Sequence, residues 1–282
     1  MQTLTKIQDI RTQISDWKKQ GLTVGFVPTM GALHVGHAGL IQKSAETCDR
    51  TVVSIFVNPT QFGPNEDYSR YPRTLDSDGK ICEEYGADLI FAPQVDEMYV
   101  QGKLDMATTV VPPADFTDKL CGKSRTGHFD GVATVVVKLL NIVQSDFAFF
   151  GQKDAQQLAV IKKFCLDLNL PVQIIGCPIV READGLAYSS RNTYLDGESR
   201  AKALSLYQVI KKVDELYQNG NNDINTVFSK ALELLHPDFE LDYLDAVDSD
   251  TMQYVSELRA NTLVAIAAKI HGVRLIDNLV LR

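Results

Sequence analysis

Short apolar runs alternate with helical patterns through the first two-thirds of this chain, and that alternation limits the fold more than any other feature. Leu22–Val27, Thr51–Val57 and Asp88–Ala92 read as short buried strands, with helical patterns over Ala38–Cys48 and through Ile81–Tyr85 between them. After a less regular middle, Gly131–Val143 reads as a strongly apolar helix, Phe147–Phe150 as a strand, Ala155–Leu168 as a helix and Val172–Ile175 as a strand. Strands spaced by helices pair in parallel, with the helices as crossovers. The expected fold class is α/β, with a doubly wound, Rossmann-like parallel sheet over residues 1–178. Beyond Cys177 a polar loop, Arg181–Asn192, precedes long helices within Gly197–Tyr217 and Asn225–Leu235. Alternating strands follow at Leu241–Val247, Leu263–Lys269 and Arg274–Leu279. These predict a smaller α+β C-terminal domain over 179–282, closing over the site.

In doubly wound sheets ligands collect at the carboxyl ends of strands. Three polar clusters fall there: Pro28–His37, Asn58–Gln61 and Gly151–Asp154. In the first, an apolar strand runs into Met30-Gly31-Ala32-Leu33-His34-Val35-Gly36-His37 and then a helix. Gly31 and Gly36 allow close backbone approach, and the helix start offers unpaired N–H groups and a positive dipole end, so the segment suits a phosphate. A purely structural role or a metal pair fits two histidines at this spacing as well. The amides of Asn58 and Gln61 suit a small polar substrate, although Asn-Pro is also a common turn. Lys153, in Gly151-Gln152-Lys153-Asp154, could meet developing phosphate charge or lie solvated beside a helix start. The guanidiniums and hydroxyls of Arg181–Asn192 suit phosphate oxygens or a helix cap. Arg125 lies in a basic, Gly-flanked loop, Lys123–Gly131, which is expected to close over the ligand.

Composition narrows the partners. Lys plus Arg number 28 against 36 Asp plus Glu, a net charge of −8, and no basic tract stands out, which argues against a nucleic-acid partner. The five cysteines, Cys48, Cys82, Cys121, Cys165 and Cys177, lack Cys-x-x-Cys spacing and read as reduced thiols, giving a cytoplasmic expectation. Met1–Lys19 has no hydrophobic signal core and no apolar run approaches membrane-spanning length, so no membrane partner is expected.

Six ordered blocks carry a more specific likeness: Pro-Thr-Met-Gly-Ala-Leu-His-x-Gly-His, Asn-Pro-Thr-Gln-Phe-Gly-Pro-Asn-Glu-Asp, Tyr-Pro-Arg-Thr, Gly-His-Phe-Asp-Gly-Val, Phe-Gly-Gln-Lys-Asp and Arg-Glu-Ala-Asp-Gly-Leu-Ala-x-Ser-Ser-Arg-Asn. Together they resemble the pantothenate synthetase family of His-x-Gly-His nucleotidyltransferases, over Val27–Asn192 and more weakly to Arg274–Asn278. The resemblance implies ATP-dependent condensation of (R)-pantoate with β-alanine through a pantoyl adenylate, giving pantothenate, AMP and diphosphate, with Mg²⁺ and a homodimer. It further implies that Met30, Gly31, Ala32, Leu33, His34, Val35, Gly36 and His37 hold ATP, with Gly151, Gln152, Lys153, Asp154 and Val180 lining the nucleotide. Tyr188, Ser189, Ser190 and Arg191 resemble the superfamily's mobile Lys-Met-Ser-Lys-Ser loop. His37, the family's active-site acid, His34, Lys153 and Arg191 form the catalytic set. Gln61 and Gln157 are assigned to pantoate, Gln61 also to β-alanine, with Asn58 and Arg125 in the substrate set and Asp78 as a Mg²⁺ contact.

Tyr188 stands where the family commonly has Met, Leu or Lys, and Val35, Ala38 and Gln152 also depart from common choices. None removes a group that the chemistry requires. The alternatives are a nucleotidyltransferase acting on a phosphorylated cofactor precursor, a tRNA synthetase, a non-catalytic nucleotide binder, and a zinc site on His34 and His37. The acidic balance disfavours tRNA, and no third or fourth zinc ligand lies nearby in sequence.

Overall fold

A computed structural model describes residues 1–64, 66–99, 102, 104 and 106–282 of the 282-residue chain. Asn65, within the second of the motifs above, lies outside the described residues. The chain divides into two compact units, residues 1–112 with 125–178, and residues 113–124 with 179–282.

The first unit is built on six parallel strands: β1 (Gln2–Leu4), β2 (Val24–Thr29), β3 (Arg50–Ile55), β4 (Leu89–Phe91), β5 (Phe147–Gly151) and β6 (Gln173–Cys177). Their spatial order is β1-β4-β3-β2-β5-β6, with Phe26 beside Val52 and Ala148 in register. Between them run helices α1 (Ile7–Lys19), α2 (Val35–Thr47), α3 (Leu75–Glu84), α4 (Val95–Met98), then, after two short helices of the other unit, α7 (His128–Val143) and α8 (Ala155–Asp167). Those two are α5 (Ala114–Thr117) and α6 (Leu120–Ser124). Strands covered on both faces need apolar side chains at successive positions, and Val24, Phe26, Val27, Val52, Val53, Leu89, Ile90 and Phe91 are all buried. Val27, Val53, Ile90 and Phe149 share one core with Leu40 and Ile41 of α2 and Cys82 of α3. Helices α1 and α7 pack on each other and on β2. From β2 the chain winds outward through β3 and β4, then returns to the other side of β2 as β5. The winding reverses between β2 and β5, and the loops leaving these two strands flank the crevice where such sheets take ligands.

In the second unit β7 (Glu240–Asp248), β8 (Thr262–Ile270) and β9 (Val273–Val280) form an antiparallel sheet. Helices α9 (Gly197–Gln218) and α10 (Ile224–Leu232) share its core through Leu206, Val209, Ile210, Val213, Val227, Val264, Ile266 and Ala268.

Several features differ from the sequence expectations, among them the start of α7 at His128 rather than Gly131. β1 and α1 were not anticipated: three residues of strand carry no period, whereas Ile10, Ile14 and Trp17 do sit at helical spacing and are buried. Helix α2 begins at Val35 rather than Ala38, because His34 caps it. Residues 113–124 go with the second unit, where the Cys121 thiol meets the Tyr243 hydroxyl at 3.1 Å and Ser124 donates to Asp242 at 3.1 Å. Two helices of four and five residues cannot bury a core alone and must borrow one. All five cysteines are free thiols, four of them buried, and no described helix is long and apolar enough to cross a membrane.

Candidate active site

The turn after β2 is assembled by hydrogen bonds that reach well beyond it. Thr29 Oγ1 donates to the Ser54 carbonyl at 2.7 Å and accepts from the Gly31 N–H at 3.1 Å. Gly31 (φ +82°) and Ala32 (φ +50°) then take left-handed backbone, which costs Ala32 about 1–2 kcal/mol. Asp78 offsets that cost. Its carboxylate, 1% exposed on α3, accepts the N–H groups of Ala32 (3.1 Å) and Leu33 (2.8 Å) and the Thr74 hydroxyl (3.1 Å). Hydrogen bonds to a charged group are worth roughly 1.5–3 kcal/mol each, enough to hold the strained turn.

His34 is the N-cap of α2, with extended backbone at φ −142°, and its Nδ1 accepts the Gly36 N–H at 3.1 Å. His37 Nδ1 in turn accepts the His34 N–H at 3.4 Å, closing a reciprocal capping box made of two imidazoles 4.2 Å apart. Burial, with the positive charge of Lys153 adding to it, lowers the His34 pKa to about 4. Burial, with His34 and Lys153 adding, lowers that of His37 to about 3. Both rings are therefore neutral near pH 7. Since each Nδ1 accepts a backbone N–H, the hydrogen-bond pattern assigns each proton to Nε2, which makes each ring an Nε2–H donor, the kind of group that suits a phosphate oxygen. Lys153 is on the 3-10 turn Gln152–Asp154 that leaves β5 across the switch point from β2, and its charge acts on both imidazoles.

The loop after β3 brings a third cluster to the same end of the sheet. Gln61 Nε2 donates to Met30 Sδ at 3.0 Å, so the turns after β2 and β3 touch. Asn58 is fully used inside the protein: its Nδ2 donates to Gln61 Oε1 (3.2 Å) and the Gly131 carbonyl (3.1 Å), and its Oδ1 accepts from Tyr99 (2.7 Å) and Thr60 (3.0 Å). Arg125 is likewise engaged, by both oxygens of Glu66 at 2.7 Å and by His128 Nε2 at 2.9 Å. His128 Nδ1–H donates to the Gln61 carbonyl at 2.8 Å, and burial lowers its pKa to about 4, keeping it neutral. Asn58 and Arg125 thus shape the turn that presents Gln61. Gln157 lies half-buried in the first turn of α8, just beyond Lys153.

Within the second unit, the segment 180–192 folds back on itself, with the Tyr188 N–H donating to the Val180 carbonyl at 3.1 Å. Arg181 anchors it through both Asp277 oxygens (2.7 and 2.9 Å), where Asp277 is 3% exposed, and also donates to the Gly185 carbonyl. Ser189 Oγ accepts the Arg191 N–H at 3.2 Å and so caps the turn Ser190–Tyr194. Arg181 and Glu182 hold this loop in shape, while Val180, Tyr188, Ser189, Ser190 and Arg191 are partly exposed along it.

The metal assignments do not fit. Among the described residues no group of three or more His, Cys, Asp or Glu could hold an ion, so a zinc site on His34 and His37 lacks its remaining ligands. Both Asp78 oxygens already accept hydrogen bonds from N–H or O–H donors, which disfavours a Mg²⁺ bond in their place. Sequence reasoning also missed Glu66, His128 and Gly131; the last two lie inside the Gly-His-Phe-Asp-Gly-Val motif, where their partners across the fold are not visible.

Comparison with known proteins agrees with this geometry. The family model described as pantoate-beta-alanine ligase matches residues 2–280. A pantothenate synthetase of Caldicellulosiruptor saccharolyticus is 50% identical over 283 residues, covering 99% of each chain. A bifunctional pantoate ligase/cytidylate kinase of Thermosynechococcus vestitus is 52% identical over 92% of this chain and 51% of its own. Among solved structures, a pantothenate synthetase of Thermus thermophilus superimposes with a TM-score of 0.91 at 42% identity, over 99% of both chains. The pantoate-beta-alanine ligase of Francisella tularensis, in complex with a β,γ-ATP compound and β-alanine, does so with a TM-score of 0.82 at 34% identity, over 99% of this chain and 97% of that one. The chain belongs to the pantoate–β-alanine ligase family.

Proposed function

We propose that this ligase condenses (R)-pantoate with β-alanine in a reaction driven by ATP, releasing pantothenate, AMP and diphosphate. The observation that carries the reading is the pair of neutral imidazoles at a helix N-terminus, each accepting a backbone N–H at Nδ1 and carrying its proton on Nε2, beside Lys153 at the switch point of the sheet. In the first half-reaction a carboxylate oxygen of pantoate attacks the α-phosphorus of ATP, and the bond to the β-phosphate bridging oxygen breaks. Two anions must be held together while charge moves onto phosphate oxygens. Preorganised donors at that point are typically worth a few kcal/mol each. His34, His37 and Lys153 would supply them, His37 acting through Nε2–H on the departing diphosphate. In the second half-reaction the β-alanine amine attacks the acyl carbon, AMP leaves and the amine loses a proton. Gln61 and Gln157 are proposed to hold pantoate. The nucleotide is assigned to the segments Met30–His37 and Gly151–Asp154, and to Val180 with Tyr188–Arg191.

Mg²⁺ is proposed to arrive on the ATP phosphates, with no residue of the chain assigned to it. A homodimer and a cytoplasmic setting complete the reading. Mass spectrometry of the protein with ATP, Mg²⁺ and (R)-pantoate should detect pantoyl adenylate, and pantothenate once β-alanine is added. Bound ATP with neither product would move the assignment to another acceptor.

A further inference from the structure

We propose that Asp78 is a positioning residue for the nucleotide loop, acting as a built-in anion that shapes the turn before any phosphate arrives. The inference rests on the functional reading above. Consecutive N–H groups on left-handed backbone form a concavity that commonly cradles a bound anion. Here Gly31 and Ala32 provide such backbone, and the occupant is the protein's own carboxylate, with the Ala32 and Leu33 N–H groups both directed to it. Thr74 Oγ1 donates to the same carboxylate and so fixes its rotamer from the start of α3. A Cβ on Gly31 would come within 3.0 Å of Asp78 Oδ2, so the contact is tight as well as hydrogen-bonded.

The consequence is a division of labour along one loop. The Ala32 and Leu33 N–H groups serve the fold, and binding of phosphate falls to the helix start and the two imidazoles further along the same segment. Because His34 follows directly on Leu33, the direction in which the imidazole pair faces is set by where Asp78 holds the turn. An Asp78 that acts in this way should matter for ATP whether or not a metal is present, whereas a metal ligand should matter only in its presence.

The test is Asp78→Asn, with Thr74→Val as a milder companion that removes only the hydroxyl steering the carboxylate. ATP affinity is measured by calorimetry on the full chain in EDTA, and kinetics are run across a Mg²⁺ titration. Asp78→Asn should weaken metal-free ATP binding by roughly tenfold or more, because an amide turns an N–H donor toward an N–H donor. It should leave the pantoate KM within about twofold and the half-saturating Mg²⁺ unchanged. Thr74→Val should weaken ATP in the same direction by a smaller factor, and it decides the matter if Asp78→Asn fails to fold. Wild-type ATP affinity in either folded variant would overturn the proposal. So would unchanged metal-free binding combined with a many-fold higher Mg²⁺ requirement, which would make Asp78 a metal contact. A wild-type protein that does not bind ATP at all would overturn the functional reading and this inference with it.

Discussion

Gly131→Ala should damage pantoate use far more than a one-carbon change suggests. Helix α7 approaches the 3-10 turn Pro59–Gln61 so closely that a Cβ on Gly131 would lie 2.3 Å from the Thr60 carbonyl oxygen, 2.5 Å from its carbon and 2.7 Å from the Gln61 Cα. These are backbone atoms, so no rotamer change relieves the clash. Restoring ordinary contact, about 3.4 Å, requires the turn or the helix to retreat by about 1 Å. Overpacking of this kind costs about 1–3 kcal/mol, and the Asn58 Nδ2 bond to the Gly131 carbonyl, worth about 1 kcal/mol, is strained with it. Alanine's better helix propensity returns about 1 kcal/mol, leaving a net loss of about 2 kcal/mol. Displacement of a substrate-positioning group by about 1 Å can cost on the order of a hundredfold in rate. With Gln61 as that group, steady-state kinetics should show kcat/KM for pantoate falling by about that factor and ATP affinity much less affected, together with a lower melting temperature. Gly197→Ala, in α9 where a new Cβ meets nothing within 4 Å, is the control and should leave pantoate kinetics unchanged and the melting temperature no lower. A Gly131→Ala variant with wild-type pantoate kinetics and melting temperature would refute the rigid-contact argument.

Lys153→Ala should leave ATP binding measurable while lowering kcat by roughly a hundredfold, seen in single-turnover adenylation; near-normal turnover would remove Lys153 from the mechanism. Stability should fall on mild acidification. His34, His37 and His128 have folded pKa values of about 4, 3 and 4, below the ordinary 6.5, so the unfolded chain binds more protons in between. Their contribution is complete above about pH 6.5 and is lost progressively as pH falls toward 3; melting temperatures between pH 7 and 5, where most carboxylates stay ionised, test it, and a flat profile would refute it. Asp277→Ala leaves Arg181 with the Gly185 carbonyl and the Tyr207 ring but no carboxylate and should cost about 2 kcal/mol, below the range for fully buried pairs because the Arg181 side chain is 21% exposed. Urea unfolding measures this, and a wild-type midpoint would contradict it.

The parallel sheet was legible because its strands are short continuous apolar runs punctuated by turns, and the order of those runs with helices between them pointed to its winding. What local patterns could not reveal was ownership: α5 and α6 carry no core of their own, so only contacts with Tyr243 and Asp242 show where they belong. The same limit applied at the site. His34, His37, Lys153 and Gln61 stand in recognisable segments at strand ends, and the structure gathers those segments at one end of the sheet. Asn58, Arg125 and Asp78 stand in equally recognisable segments, yet their polar atoms are engaged by the protein itself. Nothing in a sequence tells whether a donor is already paired, least of all when Leu33 and Asp78 lie 45 residues apart.

An imidazole that starts a helix and is also proposed to serve the chemistry leaves little freedom for redesign. Serine, asparagine or aspartate at residue 34 would preserve the cap and discard the Nε2 donor, while lysine or arginine would keep a donor and abandon the acceptor that the Gly36 N–H needs. On the proposed reading, folding and turnover select the same side chain by separate criteria. A library aimed at new acyl acceptors on this scaffold is best built with residues 34 and 37 held fixed and diversity directed to the turn around Gln61.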